Sequence, residues 1–520
     1  MGEADPPQVR EFRVTLPIDR PGSAAPISRD PLQPDSPNEE PLQERSTGPL
    51  PDKTSPGGAD DSWSKVDADP TAVRLLSLDA YRGFIMVAMA SAGLGFTQLA
   101  NNEKVVDQFG DSILGKVWRL LIQSLGYQFE HVAWVGCSFW DLIQPSFMFM
   151  VGVAMPFSNS RRQSLGHAPR WRWLHVLWRS LALVMLGIFL SSTGAPLTNF
   201  TFVNVLTQIG LGYFFLFYLS DRCRAKQKLG ALLARQGLVA GVILILYWSY
   251  FAVFSNTNLE AEIVQTVIVQ QAGEKEFTRA NTFRGFAKRW NKHTNAAAHF
   301  DRQFLNLFPR SGDEIGGRKF WFNAGGYQTT NFIPSLATMI LGLMAGTVLC
   351  NTDLAPWEKL RFLVWGGAIC FTLVLPFDTM IWPSQVPRLF GGYTICPTIK
   401  RIWTPTWTLF SGGWTFFILS AFYWVIDIRG YRKWSWPLAI VGMNSIAMYV
   451  MSQLSRPFVK SALKTHFTTI DTLLGWEQGF VYTLLGDQGA YAPFFERCLI
   501  LFILWLVCYW MYRRKLFIRI

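Results

Sequence analysis

The sequence predicts an all-α, polytopic membrane protein of about ten transmembrane helices, preceded by a disordered N-terminal tail. Three observations carry that prediction. Half of the 520 residues are hydrophobic and only 16% are charged, with 22 Trp and 41 Phe, an aromatic load uncommon in a soluble chain. Apolar runs of about 18–25 residues, each long enough to cross a hydrocarbon core as helix, recur from Leu75 onward. Residues 1–70 differ from the rest: rich in Pro, Asp, Glu and Ser and poor in aromatics, they bury too little apolar surface to offset chain entropy.

Two regions follow, a tail at 1–70 and a membrane domain at 71–520. The tail has no basic segment running into an apolar one, so no cleavable signal peptide is expected and the tail is placed in the cytoplasm. Spans are expected near 75–99, 140–158, 174–193, 201–220, 237–255, 332–350, 361–380, 404–426, 437–458 and 491–511. The loops assigned to the cytoplasm carry Arg161, Arg162, Arg170 and Arg172, then Arg222, Arg224, Lys226, Lys228 and Arg235, then Lys359 and Arg361, then Arg429, Arg432 and Lys433. The final segment adds Arg513, Arg514, Lys515 and Arg519, whereas loop 194–200 on the other face has no Lys or Arg. An even number of helices then leaves both termini cytoplasmic. The outward loop at about 256–331, polar and partly basic from Arg284 to Arg302, fits a lid or platform over a site and a solvated insertion equally well.

The formal charge of +12 does not point to nucleic acid, because the basic residues lie between apolar spans and not in one domain. The seven cysteines are scattered singly, with no CxxC pair and no His at ligand spacing, so no metal centre is expected. Cys137 and Cys396 could share a face and pair, but spacing alone does not decide it.

The segment from His131 to Gly152 is the one that suggests chemistry. It sets a titratable imidazole at the mouth of an apolar span that also carries an acid, Asp141, and such groups are costly near a bilayer unless they face protein or a wet cavity. The other five histidines lie in polar loops or beside them. In the first span, Asp79 and Arg82 stand three residues apart on one helical face. They fit mutual neutralisation, and equally a guanidinium fork offered to a phosphate near the cytoplasmic end.

Five pieces resemble one known family: Arg74-Leu75-Leu76-Ser77-Leu78-Asp79-Ala80-Tyr81-Arg82-Gly83; the His131–Gly152 block with Trp134, Gly136, Asp141, Pro145, Phe147 and Phe149; Trp178-Arg179-Ser180; Gly442-Met443-Asn444-Ser445-Ile446; and Tyr512-Arg513-Arg514-Lys515-Leu516-Phe517. In this order over 74–520 they are similar to the heparan-α-glucosaminide N-acetyltransferase family and its prokaryotic relatives. The resemblance implies a multi-helix acyltransferase that takes acetyl-CoA from the cytoplasmic side and acetylates the amine of a terminal amino sugar on the far side. It places His131 on the family's catalytic histidine and implies a glycan acceptor, a lipid environment and a homodimer. The lumenal domain and extra helix of eukaryotic members have no counterpart in this sequence, so a bacterial cytoplasmic membrane is the expected home. The chain departs from the eukaryotic pattern at Ala92-Gly93, at Thr207-Gln208 and at Gln328-Thr329-Thr330-Asn331, which leaves room for a different amino sugar, as in an envelope glycan.

Imidazole chemistry fits that expectation. An amine attacking a thioester must lose a proton, and His131 could accept it as general base, or could first carry the acetyl group as an acyl-imidazole. Asp141 would orient the ring or hold the acceptor's ammonium, or serve only as a helix-to-helix anchor; with a helix beginning near Cys137 it would lie about two turns below the surface. Cofactor contacts are assigned to Arg82 and Arg179 for phosphates, and to Asn204, Gln208, Asn444 and Ser445 for pantetheine amides or the oxyanion. Each of these also has a structural reading, as a snorkelling cation or an interhelical hydrogen bond. Two other classes share the features: a glycan or lipid transporter or flippase, against which the lack of a domain-sized repeat speaks, and an O-acyltransferase acting on envelope glycan.

Overall fold

The computed structural model describes residues 75–165, 168–222, 228–254, 283, 285–309, 314–315, 318–319, 323–378, 394–475 and 489–518. The tail at 1–70, His167, Cys223 and residues 255–282 of the long loop lie outside them. The described chain is helical apart from turns and a two-residue antiparallel pair, Glu314–Ile315 with Arg318–Lys319.

The helices are α1 (Leu76–Ala90), α2 (Ile113–Gln128), α3 (Ile143–Ser164), α4 (Pro169–Ser191), α5 (Val205–Arg222), α6 (Leu229–Val253), α7 (Ala296–Phe304), α8 (Phe332–Cys350), α9 (Pro356–Val374), α10 (Pro405–Phe422), α11 (Trp436–Met443), α12 (Ser445–Leu454), α13 (Arg456–Leu473) and α14 (Ala492–Arg513). Five are long and apolar enough to cross a membrane, and seven spans result if each of two bent pairs counts as one. The other three expected spans coincide with α3, α5 and α9, where charge or length dilutes the signal. α3 ends in Arg161 and Arg162, α5 is apolar only over Val205–Ser220, and α9 carries Glu358, Lys359 and Arg361 in its first turns.

The bundle is built around α8, which packs on α3, α5, α6, α9 and α10. Buried residues fill 67% of the α8 apolar window, against 17% for α6, so α8 is enclosed by protein while α6 turns most of its apolar surface outward. α3 and α8 pack backbone to backbone. A Cβ on Gly152 would stand 1.9 Å from the Met339 carbonyl oxygen, and one on Gly342 would stand 2.0 Å from that of Phe149. Only glycine permits that approach, which replaces hydrophobic drive with van der Waals packing where lipid is the solvent. α1 and α11 meet in the same way at Gly83 and Gly442.

Two expected spans are broken. After α1 the chain turns through Ala92, Gly93, Leu94 and Gly95, all at positive φ, and resumes as a short helix bent by 43°. Gly95 is required there because its Cα lies against the backbone of Pro493 at the start of α14. The freed carbonyls are not left bare: Arg456 donates to the Ala90 oxygen and Arg497 to that of Ala92, 2.6 Å away. The second break, of 70°, divides 437–458 at Asn444 into α11 and α12. Its side-chain oxygen accepts from the Ile518 N–H at 3.2 Å, a side-chain bond that competes with continued helix.

The described part of the long loop is a packed cap. Trp290, Ala296 and Ala297 are fully buried, the Tyr250 hydroxyl donates to the Ala296 carbonyl at 2.9 Å, and the Trp134 indole donates to that of Trp290 at 3.1 Å. A merely solvated insertion would not bury these groups.

Candidate active site

α2 ends at Gln128, and the chain reaches α3 through the turn 129–138 and a single 3-10 turn, Phe139–Leu142. Ser138 caps that turn and Asp141 is its third residue, with the Ser138 N–H donating back to Asp141 Oδ2 at 3.2 Å. Asp141 therefore sits in the first turn of the helical segment that starts at Phe139, and not two turns deep. Its side chain is 1% exposed, whereas that of His131 is 42% exposed.

Each oxygen of the Asp141 carboxylate has defined donors. Oδ2 takes the backbone N–H groups of Val132 and Ser138, both at 3.2 Å, and lies 3.0 Å from the Ser138 hydroxyl. That hydroxyl also lies 2.6 Å from the Glu130 carbonyl oxygen, which takes its proton as the nearer acceptor. Oδ1 lies 2.7 Å from His131 Nδ1 and 3.1 Å from the ammonium of Lys400. A carboxylate brings no proton to a contact of 2.7 Å, so Nδ1 carries the hydrogen. Nε2 then holds the lone pair, and among the described residues no protein hydrogen bond reaches it. Burial holds the imidazole below its ordinary 6.5; the Asp141 hydrogen bond opposes that shift, and the charges of Lys400 and Arg401 add to it.

Lys400 is delivered by a tight turn ahead of α10. The Thr398 N–H donates to Asp378 Oδ2 at 2.7 Å, the Gly136 N–H donates to the Thr398 carbonyl at 3.3 Å, and Trp403 takes a positive φ of 46° while its N–H closes on the Lys400 carbonyl at 2.9 Å. Arg401 beside it clamps two strands of loop, donating to the Gly325 carbonyl at 2.6 Å and the Val132 carbonyl at 3.2 Å, with the Tyr327 ring beneath its guanidinium. Trp140 stands 6.4 Å from the imidazole, ring to ring. Sequence reasoning missed Lys400. The available signal was the Lys-Arg pair at the mouth of a span, on the face that the charge bias of the other loops assigns to the outside.

Cys137 is no rival nucleophile, since burial pushes its thiol up and keeps it protonated. Cys137 and Cys396 are both free thiols.

The remaining residues singled out by sequence fall elsewhere. Asn204 starts α5: its side-chain oxygen accepts from the Leu206 N–H at 2.9 Å and from the Tyr449 hydroxyl of α12 at 3.2 Å. Gln208, one turn on, accepts from Gln144 of α3 at 3.3 Å, three residues beyond Asp141. The amide nitrogens of Gln208 and Asn444 are buried with no hydrogen-bond partner among the described residues. Ser445 opens α12. Arg82 faces Asp79 at 3.9 Å, and Arg179 lies over the Tyr213 ring at 4.7 Å. Thus His131 and Asp141 are in direct contact, Asn204 and Gln208 follow one another on α5, and Arg82, Arg179, Asn444 and Ser445 take no part in the Asp141 bonds.

No family model matches the chain. It is similar to the curated proteins named heparan-alpha-glucosaminide N-acetyltransferase from Homo sapiens and Mus musculus, at 22% identity in both cases. The similarity runs over 467 and 469 residues, 86% of this chain, and the chain spans 60% and 61% of the length of those relatives. The chain is a distant, helical, membrane-type relative of that family.

Proposed function

We propose that this protein is a membrane acetyltransferase that moves an acetyl group from acetyl-CoA to the amine of an amino sugar. The observation that carries the reading is the His131–Asp141 pair: a carboxylate pins one nitrogen of a half-exposed imidazole at 2.7 Å and leaves the other free as a base. The acceptor nitrogen attacks the thioester carbon, Nε2 takes the proton the amine must lose, the C–S bond breaks, and the proton passes to the departing CoA thiolate. His131 serves as general base; an acetyl-imidazole is the variant of the same site.

The donor enters from the cytoplasm. Arg82 and Arg179 take its phosphates, and the pantetheine arm threads the bundle past the buried amide donors of Gln208 and Asn444, with Asn204 and Ser445 lining the same route. Ten spans put both termini and the tail in the cytoplasm of a bacterial membrane, with His131 outward beneath the packed cap that receives the glycan. The relatives' printed name supports a glucosaminide as acceptor.

The test uses purified protein in nanodiscs with labelled acetyl-CoA and a glucosamine-terminated oligosaccharide. N-acetylated product is expected, with His131→Ala lowering turnover by about 10²–10⁴-fold. Unchanged turnover in that variant would remove His131 from the mechanism, and absence of product with any amine acceptor would remove the transferase reading.

A further inference from the structure

We propose that Lys400 is the positioning residue that sets the charge state of the His131–Asp141 pair, so that the imidazole is held neutral with its Nε2 lone pair free. The proposal rests on the reading of His131 as the reacting base, and adds the group that makes it one. Lys400 Nζ lies 3.1 Å from Asp141 Oδ1 and 3.2 Å from His131 Nδ1, and both the lysine and the aspartate are almost completely buried, at 4% and 1% exposure.

Charge balance gives the argument its direction. An acid and an imidazole alone would favour the ionised couple, Asp141 anionic and His131 protonated, because the two charges cancel in a desolvated site. Adding the ammonium at the same carboxylate oxygen inverts that preference: the cluster is now neutral only while the imidazole is neutral. The tautomer in which Nδ1 donates is set by Asp141 Oδ1 at 2.7 Å; the ammonium, with three donors and no lone pair, contributes charge to the cluster and not a partner for the Nδ1–H. The groups facing His131 are few. Asp141 comes from the turn before α3, Lys400 and Arg401 come from the turn before α10, and Glu130 is exposed beside it on its own turn. Two cations therefore oppose one buried anion, and both cations come from a segment about 270 residues away in sequence.

A structural anchor for Asp141 would need the same salt bridge, so the decisive readout is the proton affinity of the imidazole. The protein is labelled with ¹³C-histidine, its His131 resonance is assigned by its absence in His131→Gln, and the ring is titrated. In Lys400→Met the midpoint is expected to rise by about one to three pH units, and the acid limb of the turnover profile should move with it. Lys400→Arg, which keeps the charge, should restore both towards the parent values. Lys400→Gln is the second neutral variant and should move the midpoint the same way should the Met variant fail to yield monodisperse protein. An unmoved midpoint in a folded neutral variant overturns the proposal, and reduces Lys400 to an anchor, even where turnover falls. A raised midpoint in a protein without transferase activity would uphold the role of Lys400 and sink the proposed function instead, so the two failures are told apart.

Discussion

A carboxylate with both oxygens committed is a rigid fixture, and Asp141 is one: two backbone N–H groups hold Oδ2, while an imidazole and an ammonium share Oδ1. Its effect is to turn a loop histidine into an oriented one. The pH dependence of the reaction belongs to this scale. Only the neutral imidazole accepts a proton, and burial with the nearby cations depresses its affinity, so activity should be complete above the ordinary histidine value of 6.5 and fall as pH drops through a lower value. A pH profile of turnover at saturating acceptor measures this. An acid limb centred above 6.5 would contradict the arrangement. Asp141 was legible in the sequence as an acid near the histidine, but its depth was not. That depends on where the helix starts, and the Ser138 cap decides it.

At the scale of elements, the site depends on how closely α3 is held. The 3-10 turn leading into it carries Asp141, its own first turn carries Gln144, and its register is set by the backbone contacts of Gly152 with Met339 of α8 and of Gly342 of α8 with Phe149. Substituting Gly342→Ala pushes a methyl group into the Phe149 carbonyl, and should cost about 1–3 kcal/mol as strain. Gly241→Ala on α6, where a Cβ meets open space, should be neutral or slightly stabilising. Thermal melting in detergent compares them, and equal melting temperatures for the two variants would show that the α3–α8 contact is not tight. The helices themselves follow from apolar runs, so all ten expected spans contain helix. The breaks after Ala90 and at Asn444 were not read, because the freed carbonyls of the first are satisfied by Arg456 and Arg497 from distant helices, and Asn444 is held by the Ile518 N–H. Hydropathy counts residues and is blind to such partners.

For the whole molecule, the arrangement of basic loops and the proposed even number of spans make a prediction about sidedness. Tags at the two termini should be protected or exposed together in sealed vesicles of one orientation, while a single cysteine introduced at Glu130 should label from the opposite side. Termini on opposite sides would rule out the ten-span topology. α8 is enclosed on several sides by other helices, and the turns before α3 and α10 meet at one end of it under the cap formed by α7 and its flanking loops.

The sequence by itself determined the class of protein and the position of most helices, because burial in lipid demands long apolar runs whatever their neighbours are. It also singled out His131 and Asp141, which lie ten residues apart on one stretch of chain. Only the tertiary structure decided that Lys400 completes the cluster, that Gln144 reaches Gln208, and that the long loop is packed. Those contacts join segments tens to hundreds of residues apart, and a hydrogen bond or ion pair depends on distances that no local pattern encodes.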